Sequence, residues 1–353
     1  MEIKVQPIQE EAVCWNKSQC TLQRLPLLPQ CSSKAATMFY ILLVLGLVVL
    51  AYVFRQVVVI GRSCKSNAKL HGKTVIVTGS NTGIGKTTAI ELAKRGARVI
   101  LACRSKQRGE AALQDVKRES GSSQVVFMQL DLASLKSVRS FAENFLKTEP
   151  RLDILINNAG LYMMGRTEDG FGMMFGVNHL GHFLLTSLLL DRLKECGPSR
   201  VVNVSSTAHN WGRVDFDCLN THRALRKGTS MLDSFGIYGD SKLCNVLFTH
   251  ELAKRLKGTK VTCYSLHPGG IKTELQRNAD ATVQMILSNL GRFFFKTPLQ
   301  GSQTTLHCAL QEGIEHLSGR YFSNCTARSV YAKARDDAAS KKLWEISERF
   351  CGI

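Results

Sequence analysis

Tyr238 and Lys242 bracket the segment Tyr238-Gly-Asp-Ser-Lys242, four residues apart. On a helix that spacing puts both side chains on one face, one turn from each other. A phenol can donate a proton, but its pKa of about 10 is too high for best effect near neutrality. A neighbouring ammonium favours the phenolate and so lowers that pKa. Ser206 follows an apolar run at 200–204, where its hydroxyl can hydrogen-bond an oxygen that gains charge. Ser205 is a rival for the same task. Asn178 stands before a long apolar helical pattern and could equally cap it. By itself a Tyr-x-x-x-Lys pair is a common feature of helix surfaces.

Phosphate chemistry is written further upstream. The β-branched run Thr74–Thr78 reads as a buried strand and runs into Gly79, Gly83 and Gly85. A helical pattern follows at 86–95, with Ala89, Ile90, Leu92 and Ala93 at helix spacing. Strand, glycine turn and helix N-terminus together cradle a pyrophosphate on backbone N–H groups. The spacing is G-x-x-x-G-x-G, not the G-x-G-x-x-G of the standard dinucleotide fingerprint. In dinucleotide folds an acid about twenty residues on grips the ribose 2′-hydroxyl. Here the second strand ends Val99-Ile-Leu-Ala-Cys103-Arg104, and a cation stands beside that place. A guanidinium fork suits a 2′-phosphate, so the expected cofactor is NADP(H). Asp131, after the third strand, either accepts a bond from the adenine amine or caps the helix that begins near Ser134. Asn157 and Asn158 read as fixing the turn after the fourth strand.

These groups need a frame to hold them. Strands are expected at 74–78, 98–102, 124–129, 153–156, 200–204, 260–266 and 320–322. Helical patterns alternate with them at 86–95, 105–119, 134–147, 178–196 and 239–255. Alternation of this kind gives an α/β doubly wound domain of the Rossmann type, a seven-stranded parallel sheet with helices on both faces. Two stretches fit less well, 209–235 and 273–296. Both follow the C-terminal ends of strands, where open parallel sheets bind ligands.

The motifs Thr78-Gly-x-x-x-Gly-x-Gly85, Asp131, Asn157-Asn-Ala-Gly160, Asn178, Ser206, Tyr238-x-x-x-Lys242 and Pro268-Gly269 occur in this order on the chain. That ordered set resembles the short-chain dehydrogenase/reductase family from residue 73 to about 322. Leu101-Ala-Cys-Arg104, Val177-Asn-His-Leu-Gly-His-Phe183 and Tyr238-Gly-Asp-Ser-Lys-Leu243 resemble its membrane-anchored retinol dehydrogenase group. The resemblance implies hydride transfer between NADP(H) and a lipophilic carbonyl or alcohol, retinal and retinol first among them. Steroids and fatty aldehydes are the alternatives, as is a membrane-tethered protein that binds NADP without turnover. It implies Tyr238 as general acid and Ser206 as the holder of the substrate oxygen. Lys242 would also hold the nicotinamide ribose, and Asn178 a water that leads to solvent. Cofactor contacts would come from Gly79, Ser80, Asn81, Thr82, Gly83, Ile84, Gly85, Arg104, Asp131, Leu132, Asn158, Ala159, Gly160, Tyr238, Lys242, Pro268 and Gly269. The thirty-two residues from Ser206 to Tyr238 exceed the spacing in many members, and the extra length is expected to shape the substrate pocket.

Composition adds the setting. The 353 residues carry a net charge of +18 with no block of five like charges, which suits a membrane surface or polyanionic cofactor better than nucleic acid. From Met38 to Phe54 the chain is apolar and uncharged, long enough to span a bilayer. Arg55, Arg62, Lys65, Lys69 and Lys73 follow it, so the positive-inside rule sets the catalytic part in the cytosol. The expected plan is a flexible leader at 1–37, an anchor at 38–60, a linker at 61–72, a catalytic domain at 73–330 and a helical tail at 331–353. An endoplasmic reticulum membrane, entered once, is the expected site, and a homodimer is compatible with it. The apolar face at 283–295 reads either as a lid over a lipophilic pocket or as a core helix. No C-x-x-C or metal-ligand spacing appears among the twelve cysteines, which read as reduced thiols. Of the sequons at Asn16, Asn203 and Asn324, Asn203 falls in an expected buried strand, where no glycan fits.

Overall fold

The computed structural model describes residues 33–228, 230–271 and 295–353. The expected leader up to residue 32 and residues 283–294 of the expected lid lie outside that set. Helix α1, Ser33–Phe54, is apolar on every side, and its large side chains are exposed all around. The stretch Thr37–Val57 has a mean hydropathy of 2.5. An all-round apolar helix of this length suits a lipid surrounding rather than one core-facing stripe. The chain continues through a wider π-turn, Arg55–Ile60.

From Val53 onward the chain forms a second compact unit built on one sheet. Its strands are β1 Thr74–Thr78, β2 Arg98–Cys103, β3 Val125–Gln129, β4 Ile154–Asn157, β5 Ser199–Val204, β6 Val261–His267, β7 Tyr321–Ser323 and β8 Thr326–Arg328. The order is β3-β2-β1-β4-β5-β6-β7-β8, and β1 through β7 are parallel. The order reverses at β1 and β4, which opens a crevice at their C-terminal ends.

Helices cover both faces, so strand residues are apolar on both sides. Ile76, Ile100, Leu155 and Val201 join one core with α4 (Leu135–Thr148), α6 (Gly181–Glu195) and α8 (Met231–Arg255). Val75, Val99, Ile156 and Val202 join the other with α2 (Gly83–Lys94) and α3 (Lys106–Ser120). A further helix, Pro298–Leu310, packs there through Leu306 and Ala309. Each buried Leu, Ile or Phe contributes roughly 1.5–3 kcal/mol. The segment Met173–Glu195 is apolar enough to span a membrane, but 78% of its window is buried, so it is a core helix.

Three expectations need correction. The sheet has eight strands, not seven, and β8 runs antiparallel to β7. Asn324 and Cys325 both hold positive φ, 54° and 53°, the backbone of a two-residue type I′ hairpin. Three residues are too few to show alternation. Helix α8 begins at Met231, not 239, behind a capping box in which Ser230 Oγ accepts from Asp233 N at 3.1 Å. Gly239 looks like a breaker in sequence, yet here it admits a neighbour. A Cβ on Gly212 would stand 2.4 Å from the Gly239 carbonyl oxygen. Finally, the helix expected from 178 starts as a one-turn helix, Met173–Phe175, and a π-turn, Gly176–Leu180.

The linker is bonded to the domain rather than loose. Arg62 N donates to Asn324 Oδ1 at 2.6 Å, and Cys64 N to Gln303 Oε1 at 3.0 Å. Ser66 Oγ donates to the Leu310 carbonyl at 3.0 Å, and Leu70 is buried in a core. The tail forms a helix, Asp337–Cys351, whose Trp344 ring stands 4.9 Å from Phe183.

Candidate active site at the sheet crevice

Gly79 leaves β1 with φ +64°, and a Cβ there would stand 2.8 Å from Ala159 Cα. The turn after β1 and the turn after β4 therefore touch backbone to backbone, an approach that only glycine permits at Gly79. Helix α2 begins at Gly83, so Gly83, Ile84 and Gly85 form its first turn. Thr82 is the N-cap in extended conformation, and its side chain makes no capping bond. The free N–H groups of that first turn face the crevice, ready for an anion. Ser80 is buried, its hydroxyl 3.5 Å from Cys103 Sγ. Asn158 Nδ2 donates to the Thr78 carbonyl at 2.8 Å and ties the two turns together.

A pocket of about 170 Å³ opens beside this floor. Gly79, Asn81, Arg104, Asp131, Leu132 and Gly160 are among the residues that line it. The expected phosphate and adenine contacts thus meet in one place. Arg108, in the first turn of α3 and four residues after Arg104, lines it too and was not foreseen. Neither arginine has a carboxylate partner among the described residues. Asp131 does not cap α4. Ser134 does, its hydroxyl accepting from Ser137 N at 3.1 Å, while Asp131 Oδ1 accepts from Ala133 N at 2.9 Å.

At the other side of the crevice stand Ser206, Tyr238 and Lys242. Ser206 follows β5 by two residues and caps the next turn, its hydroxyl accepting from Ala208 N at 3.2 Å and lying beside the Tyr238 phenol. Ser205 turns inward, donating to the Lys242 carbonyl at 2.7 Å, which removes it as a rival for a substrate oxygen. Burial pushes the Tyr238 phenol up to about 12, partly offset by the Ser206 bond. This differs from the lowering expected from Lys242. The Lys242 Nζ stands 5.6 Å from the centre of the Tyr238 ring, and burial is the largest influence on the phenol. Desolvation therefore wins over attraction. Burial also lowers Lys242 to about 8, with Nζ donating to the Val204 carbonyl at 3.3 Å.

Asn178 lies on the π-turn, fully buried. Its side chain accepts from Leu161 N at 2.8 Å and donates to the Leu161 carbonyl and Ser241 Oγ, both at 3.0 Å. It is not a helix cap. The side chain ties the loop after β4 to α8, and its Oδ1 keeps one lone pair. Gly160 lies between the two halves, with its Cβ direction 3.1 Å from Lys242 Nζ. Pro268 and Gly269 follow β6, and Gly269 takes φ +103° against the Lys296 side chain.

The long segment after Ser206 forms a 3₁₀ turn, Thr207–Asn210, and helix α7, Phe216–His222. His222 and residues 224–228 line a mainly apolar cavity of about 370 Å³ with Met163, Met164, Met173, Phe175 and Ile237. Tyr238 is absent from its lining. This cavity adjoins the Tyr238 helix through Ile237 without containing the phenol. Tyr162 packs edge-on against Tyr238, rings 5.7 Å apart. The nine described cysteines are free, and Asn203 is buried in β5, bonded to Thr249 and Asn157.

Comparison with known proteins agrees with this geometry. Residues 73–217 match the family model for short chain dehydrogenases. The chain is 52% identical over 315 residues to dehydrogenase/reductase SDR family member 13 of Bos taurus, covering 89% of this chain and 82% of that one. It is 51% identical over 292 residues to retinol dehydrogenase 11 of Homo sapiens, covering 82% of this chain and 89% of the relative. A crystal structure of an uncharacterised protein from Mycobacterium paratuberculosis superposes with a TM-score of 0.66 at 34% identity, over 83% of this chain and 98% of that one.

Proposed function

Because the chain belongs to the short-chain dehydrogenase/reductase family, we propose that it is a membrane-anchored NADP(H)-dependent reductase of lipophilic carbonyls, retinaldehyde first among them. The observation that carries this reading is the Tyr238 phenol, beside the Ser206 hydroxyl and one helical turn from Lys242, across the crevice from a pocket whose two arginines have no carboxylate partner among the described residues. Arg104 and Arg108 would hold a ribose 2′-phosphate, and the first turn of α2 the pyrophosphate. Bound NADPH would supply the hydride.

The chain's own groups do the rest. Ser206 donates a hydrogen bond to the carbonyl oxygen, where negative charge develops. Tyr238 gives that oxygen its proton. A phenol raised to about 12 stays protonated at neutral pH, which suits an acid in the reduction direction. The Lys242 ammonium beneath it supplies positive charge to the proton path. The apolar cavity beside Ile237 supports a lipophilic substrate. Helix α1 and the cations after it support a single span with the domain on the cytosolic face, in the endoplasmic reticulum.

Membranes bearing the full chain, given NADPH and retinaldehyde, a steroid ketone or a long-chain fatty aldehyde in turn, test the reading. Retinol should form fastest. Faster turnover of the steroid or the fatty aldehyde would reassign the substrate. No turnover of any of the three would favour a tethered NADP-binding protein.

A pH profile follows from Lys242. Its folded pKa lies below the usual lysine value, so the ammonium is present below about 8 and lost as pH rises through it. Reduction at saturating substrate should therefore be flat from pH 6 to 7 and fall about tenfold per unit well above 8. A rate that climbs through pH 9 would exclude a role for the ammonium.

A further inference from the structure

Below the crevice lies a buried chain of hydrogen bonds that no catalytic step uses. Thr78 Oγ1 accepts from both Asn158 N and Ala159 N at 2.9 Å. His182 Nε2 lies 2.8 Å from the same hydroxyl, and His182 Nδ1 lies 3.2 Å from the Asn178 carbonyl oxygen. Thr78, Asn178 and His182 are all buried.

The partners fix every proton. A carbonyl only accepts, so Nδ1 carries the ring hydrogen and Nε2 is bare. The Thr78 hydrogen then points at Nε2, since its other acceptor, the Ile156 carbonyl, is farther away at 3.4 Å. Two backbone N–H groups fill the remaining lone pairs of that oxygen. Every hydrogen bond in the chain thus has one direction. Burial keeps the ring neutral, with its pKa lowered to about 3, so the arrangement does not change between pH 5 and 9.

We propose that His182 is a positioning residue that couples the cofactor floor at Asn158–Gly160 to the π-turn carrying Asn178. The ring spans the two regions that must be in register for transfer: the turn against Gly79, and the Asn178 side chain that holds Leu161 and Ser241. Asn178 stands on the π-turn that leads into α6, and the His182 ring reaches back from α6 to its carbonyl. The proposal rests on reading the Gly79–Gly160 floor as the NADP(H) site.

Two variants separate the ends of the brace. Gln at 182 reaches the Nε2 position and keeps an acceptor for Thr78, but loses the donor to the Asn178 carbonyl. Asn at 182 reaches only the Nδ1 position and does the reverse. NADPH affinity, titrated by its fluorescence without substrate, and kcat are read for each. His182→Gln should bind NADPH within about threefold of wild type, with kcat about tenfold lower. His182→Asn should bind NADPH about tenfold more weakly, as should Thr78→Val. Thr78→Ser, which keeps the hydroxyl, should restore binding. Combining Thr78→Val with His182→Asn should weaken NADPH little more than either alone. Equal losses of affinity and kcat in both His182 variants, or additive effects in the double variant, would overturn the brace. The affinity arm needs no turnover, so a wild-type chain that binds NADPH yet reduces none of the three substrates would fail the functional reading and leave the brace to its own result.

Discussion

Tyr238→Phe lowers kcat/KM for NADPH-dependent carbonyl reduction by about a thousandfold, within the range of about 10²–10⁴ for a lost general acid. The ring remains, so its edge-on contact with Tyr162 and its place over Lys242 are kept. Only the oxygen beside Ser206 goes. Removing this partly buried hydroxyl should cost about 1 kcal/mol of stability, too little to unfold the domain. NADPH affinity should stay within about threefold, because the cofactor floor is built from β1, β4 and α2. Membrane fractions matched for protein amount, assayed with the substrate that wild type turns over fastest, give the answer. Activity equal to wild type would sink the assignment of Tyr238 as the acid.

The second large effect is on cofactor choice. Replacing Arg104 and Arg108 together by Ala should raise the KM for NADPH about a hundredfold and leave that for NADH within about threefold. Each charge-assisted bond to a phosphate is worth about 1.5–3 kcal/mol, or about ten- to a hundredfold. Both side chains line the pocket at the end of β2 without a carboxylate partner among the described residues, so no ion pair is broken by their removal. The single variants show whether the two arginines share the load. An equal rise for both cofactors would mean that the pair shapes the pocket without reading the 2′-phosphate.

Tyr238 and Arg104 stood out in the sequence and Arg108 did not, and the reason is physical. The central strands were legible because burial on both faces makes them apolar or β-branched runs, as in Thr74–Thr78. Asn178, Ser206, Tyr238 and Lys242 were legible as an ordered set of residue types. Their environment was not. The rise of the Tyr238 pKa comes from burial by segments distant in sequence, which no spacing reports. The π-turn Gly176–Leu180 breaks helical periodicity by one residue and disappears within an apolar run. Helix α8 did show its true start, since Ser230 and Asp233 spell a capping box. Gly236 and Gly239 masked it, and their reason lies in chain segments that press against them, Arg226 and the turn after Ser206. Arg108, four residues past Arg104, lies in the first turn of α3, where a cation in sequence reads as a solvated helix position.

The linker carries a lesson for anyone who wishes to handle the enzyme without detergent. Its backbone is stitched to Asn324 and Gln303, and Leu70 fills the core beneath α2 and β2. The natural place to cut is therefore ahead of Gly61, not at Lys73, where the sheet begins. A version that starts at Lys73 would bare an apolar seam along the helix Pro298–Leu310 and leave the side chains of Asn324 and Gln303 without the linker N–H groups they bind. The same seam sets a rule for exchange: a foreign anchor joined upstream of Gly61 leaves the fold intact, whereas one joined further along removes part of the domain itself.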